Sequence, residues 1–342
     1  MSFPNFYGNA ATADALSELA HRDGIPQTIL LHGPEGIGKA TLVRRFAAAL
    51  LGDPAKIEQD DLSLPHNQEI VADREKWTAE KRNEDPLLFA SHPDFTTFAP
   101  DGPLRQISIP QMRLLRERAQ FQPLRGSHRV FLIDHIDRAN EQAANSLLKT
   151  LEEPPPYLIL IITAENPYDL LPTIRSRSIS FSLTPLNDEE MRAFAAAHKL
   201  ADAEKRIALS SGCPGAALSL DLEGYEQRRS AMLRVVQVAS GGAQIADWAK
   251  LADSLGAKRN EKLDSYLKVL YLLLEDLLLL SHDSGPIRNR DIRPELEKMA
   301  ARLSFEWLQR AVVRVDELMY LVRRNIQKTL AFDGLIAALR EA

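Results

Sequence analysis

Short apolar runs that do not alternate with polar residues recur through the first half of the chain. Thr28-Ile29-Leu30-Leu31-His32, Phe95-Thr96-Thr97-Phe98, Ile107-Ser108-Ile109, Val130-Phe131-Leu132-Ile133-Asp134 and Leu158-Ile159-Leu160-Ile161-Ile162-Thr163 each read as a strand. Runs of this kind suit strands covered on both faces, as in a parallel sheet. Segments of helical composition separate them, among them Ala40–Leu51 and Gln111–Ala119. Pro110 stands where a helix's first turn tolerates proline. Strands alternating with helices predict an α/β domain over residues 1–184. Asp53 to Lys81 breaks the pattern, polar except for scattered residues such as Trp77. Residues 52–91 are therefore expected to be an insertion, partly helical, with the composition of a mobile segment.

From Thr184 onwards no strand is read. Asn187 with Glu190 has the spacing of a capping box, so a small helical unit is expected over residues 185–222. Residues 223–342 are expected to be helical throughout. Leu263, Leu267, Leu270, Leu274 and Leu277 recur at helical spacing, and Trp307, Ala311, Leu318 and Leu321 mark another helix. Such a leucine stripe belongs to a core or a subunit interface. The most apolar stretch, Val269 to Leu280, is interrupted by Glu275-Asp276. It falls short of the roughly 20 apolar residues that a membrane span needs.

Composition narrows the classes. The 342 residues suggest two or three domains, and 45% hydrophobic with 26% charged residues excludes disorder over the whole chain. Forty-two basic against 47 acidic residues leave a net charge of -5, so DNA contact would come from a local patch or through a partner. One cysteine, Cys213, excludes an internal disulfide framework and any zinc site built on two or more thiolates. It is expected to be a small packing residue. The eight histidines show no metal-ligand spacing, and no metal site is expected. Met1-Ser2-Phe3-Pro4-Asn5 lacks the pattern of a signal peptide, so a cytoplasmic location is expected.

Gly33-Pro34-Glu35-Gly36-Ile37-Gly38-Lys39-Ala40 follows a strand and opens a helix, the context of a phosphate-binding P-loop. Gly33, Gly36 and Gly38 would let backbone N–H groups turn toward phosphate oxygens, with Lys39 supplying a point charge. The residue after the lysine should carry a hydroxyl for Mg²⁺, and here it is Ala40. Thr41 lies one residue later, about 100° further round the helix, and is a poor substitute. Asp134, ending its strand, reads as the acidic partner of the P-loop. Beside it, where an ATPase needs a carboxylate to polarise water, stands His135. The expectation is weak ATP or ADP binding with the metal poorly held. Thr163, at its strand end, admits either a nucleotide-sensing or a structural reading.

The stretch Ala144-Asn145-Ser146-Leu147-Leu148-Lys149-Thr150-Leu151-Glu152-Glu153-Pro154-Pro155, with the P-loop upstream and Pro172-Thr173-Ile174-Arg175-Ser176-Arg177-Ser178 downstream, resembles the clamp-loader family of AAA+ proteins. Within it, the likeness is to the delta-prime subunits of bacterial DNA polymerase III. His92-Pro93-Asp94-Phe95 and Pro214-Gly215-Ala216-Ala217-Leu218 carry it further. It is strong over 25–50 and 92–218. In the C-terminal helices it is weak, with only the helical character and the end around Asn325 familiar. The resemblance implies an AAA+ α/β P-loop domain with a parallel sheet (1–184), a small helical lid domain (185–222) and an all-α C-terminal collar (223–342). It implies a non-hydrolysing subunit of a heteropentamer with gamma/tau motor subunits and a delta subunit. That assembly opens the sliding clamp and places it on primed DNA, as part of the DNA polymerase III holoenzyme and without a membrane. Arg177 would be an arginine finger offered to the neighbouring motor's ATP, in a motif whose usual final cysteine is Ser178 here. The four-cysteine zinc module of many relatives has no counterpart, its place being taken by 52–91, so no zinc is expected. Gly212-Cys213-Pro214-Gly215 leads into a lid helix without the sensor arginine of motor subunits. The competing reading is a catalytically active clamp-loader ATPase of gamma/tau type.

Overall fold

A computed structural model describes residues 3–22, 24–249, 252, 263–322 and 327–340, without the side chains of residues 320 and 322. The end around Asn325 lies outside the described residues. The chain divides into two compact units, Met1–Ala203 with Ser211–Leu218, and Glu204–Ser210 with Ser219–Ala342.

The first unit is built on five parallel strands: β1 (Thr28–His32), β2 (Phe95–Phe98), β3 (Arg129–Ile133), β4 (Leu158–Ala164) and β5 (Ile179–Ser182). Their order is β2-β3-β4-β1-β5. The apolar runs foretold β1 to β4 because those strands are covered on both faces. All seven residues of β4 are buried, as are all of β2 and β3. Burying each Leu or Ile of this kind is worth about 1.5–3 kcal/mol, so the sheet centre dominates this unit's core. β5 carries no comparable run. It is an edge strand, pairing with β1 on one side only, and three of its four residues are exposed.

Ile107-Ser108-Ile109 is not a strand. Ile107 makes one isolated bridge with Ala139, and Ile109 already begins a helix, Ile109–Ala119. The Ser108 hydroxyl accepts the Gln111 backbone N–H, and Gln111 Oε1 accepts the N–H of Ser108. That reciprocal capping box overrides the β-branched flanks. The Asn187–Glu190 box opens the helix Asp188–Ala197 as its spacing predicts.

The insertion contains three short helices, Pro54–Ile57, Pro65–Arg74 and Ala79–Glu84. Arginines tie it to its surroundings. Arg44 pairs with Glu58 and Asp61, and Arg74 is gripped by Asp101 through two bonds at 3.0 and 2.7 Å.

The second unit is helical. Leu222–Ala239, Leu263–Ser281, Arg293–Ala300, Phe305–Val322 and Lys328–Arg340 surround one apolar core that includes Tyr266, Leu267, Leu270, Leu273, Leu277, Val315 and Phe332. All five leucines of the 263–277 stripe are buried. Glu275-Asp276, which interrupts the apolar run, has a structural task. Asp276 is fully buried and accepts the backbone N–H groups of Arg288 and Asn289, while Glu275 pairs with Arg288. Among the described residues, no helix is long and apolar enough to cross a membrane.

Candidate functional site

Parallel pairing brings three chemical groups to one edge of the sheet. Leu31 of β1 is in register with Thr163 of β4, and Ile133 of β3 with Ile162. The P-loop after β1, Asp134 after β3 and Thr163 therefore converge where strand ends present their carboxyl termini, the usual ligand edge of an α/β sheet. Asp134 and Thr163 are buried. The Thr163 hydroxyl donates to Asp134 Oδ1 at 2.6 Å and accepts the His135 backbone N–H at 2.8 Å. It thus fixes both residues that follow β3.

Gly33, Gly36 and Gly38 all have positive φ, at 147°, 78° and 103°, which glycine adopts without steric cost. Gly38 caps the helix Lys39–Leu51. Lys39 is buried, and its Nζ donates inward to the carbonyls of Gly33 at 2.6 Å and Pro34 at 3.0 Å. Burial lowers its pKa, opposed by the carboxylates of Asp134, Glu165, Asp137 and Glu35. The helix Pro214–Ser219 closes over the loop, with the Gly215 N–H donating to the Gly36 carbonyl at 2.8 Å. A Cβ on Gly36 would meet the Ala216 nitrogen at 2.8 Å. Thr41 is turned to other business, its hydroxyl accepting from Arg44 at 3.5 Å. Cys213, next to this lid segment, is buried.

His135 has φ 57° and starts a single 3-10 turn, Ile136–Arg138. Its Nδ1 lies 3.9 Å from Asp137 Oδ1, too far for a hydrogen bond. Burial pushes the Asp137 carboxyl above its ordinary pKa. Arg138 reaches Glu35 at 3.2 Å and Glu165 at 3.6 Å. The position of Glu165, one residue past β4, was invisible in the sequence reading, because only strand register brings it to residues 135–137.

Arg177 stands apart. It occupies the turn between the short helix Pro172–Arg175 and β5. Its guanidinium is partly exposed, donating to Glu152 at 3.0 Å and to the Thr173 carbonyl at 3.2 Å. Ile179 of β5 is in register with Ile29, near the start of β1, whereas the P-loop leaves the far end of β1. At about 3.3 Å per residue, the intervening strand separates Arg177 from its own P-loop by roughly 10 Å or more.

Residues 8–187 match the family model described as DNA polymerase III, delta subunit. The chain is 30% identical over 224 residues to DNA polymerase III subunit delta' of Escherichia coli strain K12, a match covering 64% of this chain and 65% of that one. It therefore spans just under two thirds of that relative's length. It is 29% identical over 201 residues to DNA polymerase III subunit gamma/tau of Mycobacterium tuberculosis strain ATCC 25618 / H37Rv, covering 57% of this chain and 31% of the relative. Among solved structures it is similar to a DNA polymerase III gamma subunit-related protein of Thermotoga maritima. There the identity is 18%, the coverage is 96% of this chain and 99% of the other, and the TM-score is 0.44.

Proposed function

The chain belongs to the DNA polymerase III delta subunit family, and on that premise we propose that it is a non-hydrolysing, delta-prime-type subunit of a clamp loader. In this role it joins gamma/tau-type motor subunits and a delta subunit in the cytoplasm, and assists the ATP-driven placing of a sliding clamp on primed DNA. The observation that carries the reading is a P-loop edge that keeps its binding groups but lacks those for hydrolysis. Lys39, the three glycines and Asp134 converge, while Ala40 has no oxygen for Mg²⁺ and His135 takes the place of the water-polarising carboxylate. Gly33, Gly36, Gly38 and Lys39 would hold nucleotide phosphates once the lysine leaves the carbonyls of Gly33 and Pro34. Two charge-assisted bonds of about 1.5–3 kcal/mol each oppose that release, which favours weak binding with little dependence on Mg²⁺.

Arg177 supports a role in trans. It is too far from its own P-loop to act there, and its guanidinium is exposed enough to meet a neighbour's γ-phosphate. A planar fork on that phosphate stabilises the charge developing in phosphoryl transfer. The test is a reconstituted loader assayed at equal assembly with wild-type and Arg177→Ala subunits. DNA-stimulated ATP hydrolysis and clamp loading should slow, with Arg177→Lys restoring them only in part. Unchanged rates would remove the finger.

The second reading, an active ATPase of gamma/tau type, draws support from the intact Lys39–Asp134–Thr163 constellation. It requires turnover by the isolated chain at about 1 s⁻¹ or more, abolished by Lys39→Ala. The first reading expects essentially none.

A further inference from the structure

Three residues beside the P-loop edge are placed as a ligand set. One ligand atom each from His135, Asp137 and Glu165 lie within 4.8 Å of one another, the one such group of His, Cys, Asp or Glu among the described residues. The Asp137 side chain is only 9% exposed, and its buried Oδ1 has no hydrogen-bond partner. His135 Nδ1, 3.9 Å away, is likewise buried without one. Buried polar atoms are nearly always satisfied, so two orphans facing each other point to a missing ligand. Charge agrees. Four carboxylates, Asp134, Glu165, Asp137 and Glu35, face Lys39, and Arg138 is the further cation paired to Glu35 and Glu165. Four negative against two positive groups leave an excess that a divalent cation would neutralise.

We infer that His135, Asp137 and Glu165 form a binding site for a divalent transition-metal ion of the zinc class. It is distinct from a nucleotide-bound Mg²⁺, and it does not depend on the clamp-loader reading. An imidazole nitrogen with two carboxylate oxygens suits Zn²⁺, Co²⁺ or Ni²⁺, whereas Mg²⁺ prefers an all-oxygen shell. Zinc ligands at about 2.0–2.2 Å place tetrahedral neighbours about 3.4 Å apart, so the His135–Asp137 pair need close by only about half an ångström. Glu165 sits on a partly exposed, unbranched side chain and can swing in once it leaves Arg138. The His135 backbone is already fixed by the Thr163 hydroxyl. A fourth position would be left to water. The ion would stand where a motor subunit keeps its water-polarising carboxylate, giving this degenerate edge a structural cation.

The test is titration calorimetry of the full chain, cleared of metal by chelator, with Zn²⁺ alone and then Mg²⁺ alone. One Zn²⁺ per chain should bind, and Mg²⁺ should bind at least about 10-fold more weakly. Glu165→Gln, at an exposed position, and His135→Asn, which tolerates the positive φ, should each weaken Zn²⁺ more than about 10-fold, the scale on which even outer-shell partners act. Arg138→Gln should tighten it by releasing Glu165, a gain that misfolding cannot imitate. The inference is overturned by no Zn²⁺ binding at 100-fold molar excess, by equal affinity for Mg²⁺, or by Zn²⁺ binding that Glu165→Gln and His135→Asn leave intact.

Discussion

Replacing Gly215 by alanine tests whether the lid helix is fitted to the P-loop by contact at atomic distance. The added Cβ would lie 2.9 Å from the Gly36 carbonyl oxygen, 3.2 Å from its Cα and 3.4 Å from its carbonyl carbon. All three are backbone atoms of a loop held by its neighbours, so no flexible side chain can yield. Overpacking of this kind costs about 1–3 kcal/mol. Relief by backing away would stretch the Gly215 N–H to Gly36 carbonyl bond, now 2.8 Å, worth about 0.5–1.5 kcal/mol net. Against this, alanine in place of glycine stabilises a helix by about 0.5–1 kcal/mol. The net expectation is a loss of about 0.5–2 kcal/mol. Gly334 is the internal control. It lies within the helix Lys328–Arg340, an added Cβ there meets nothing within 4 Å, and Gly334→Ala should gain about 0.5–1 kcal/mol. The same chemical change should therefore act with opposite sign at the two sites. Urea unfolding read by hydrogen exchange, with peptides of each unit followed separately, supplies both values. A Gly215→Ala variant as stable as wild type would refute the close-contact argument. P-loop peptides that exchange no faster in that variant would do the same.

Arg74→Ala should destabilise the first unit by about 3–5 kcal/mol, because the side chains of Arg74 and Asp101 are each only 5% exposed and the carboxylate would lose both bonds to the guanidinium. The double variant Arg74→Met/Asp101→Leu should recover most of that loss in the same urea titration, and single-variant costs below about 1 kcal/mol would contradict it. In the second unit, hydrogen bonds from Arg229 hold the Asp291 carboxyl below its ordinary pKa of 3.8. A depressed folded-state pKa gives stability that is present above the ordinary value and lost as pH falls through the folded one. Asp291→Asn should thus lower stability at pH 7, and the gap from wild type should narrow as pH falls below the ordinary carboxylate range; a constant gap would show that the charge is not the cause.

Much of this protein was legible because burial leaves a local trace. β1 to β4 are continuous apolar runs since the sheet centre is covered on both faces, and the buried leucines from 263 to 277 keep helical spacing for the same reason. The P-loop was readable because its glycines must take positive φ and its lysine must follow them. Caps are local as well, which is why Asn187–Glu190 was found; the equivalent signal at Ser108–Gln111 was there to be weighed against Ile107 and Ile109. Tertiary structure alone decided the rest. β5 exists because it pairs with β1, not because its largely exposed Ile-Ser-Phe-Ser sequence demands a strand. Lys39 folding back on its own loop, Gly215 seated on Gly36, and Glu165 brought to His135 and Asp137 each depend on segments distant in sequence. Residue periodicity records how deeply each position is buried, but not which buried positions meet. That is settled by strand register and helix docking, which close the long loops whose ends the sequence leaves unpaired.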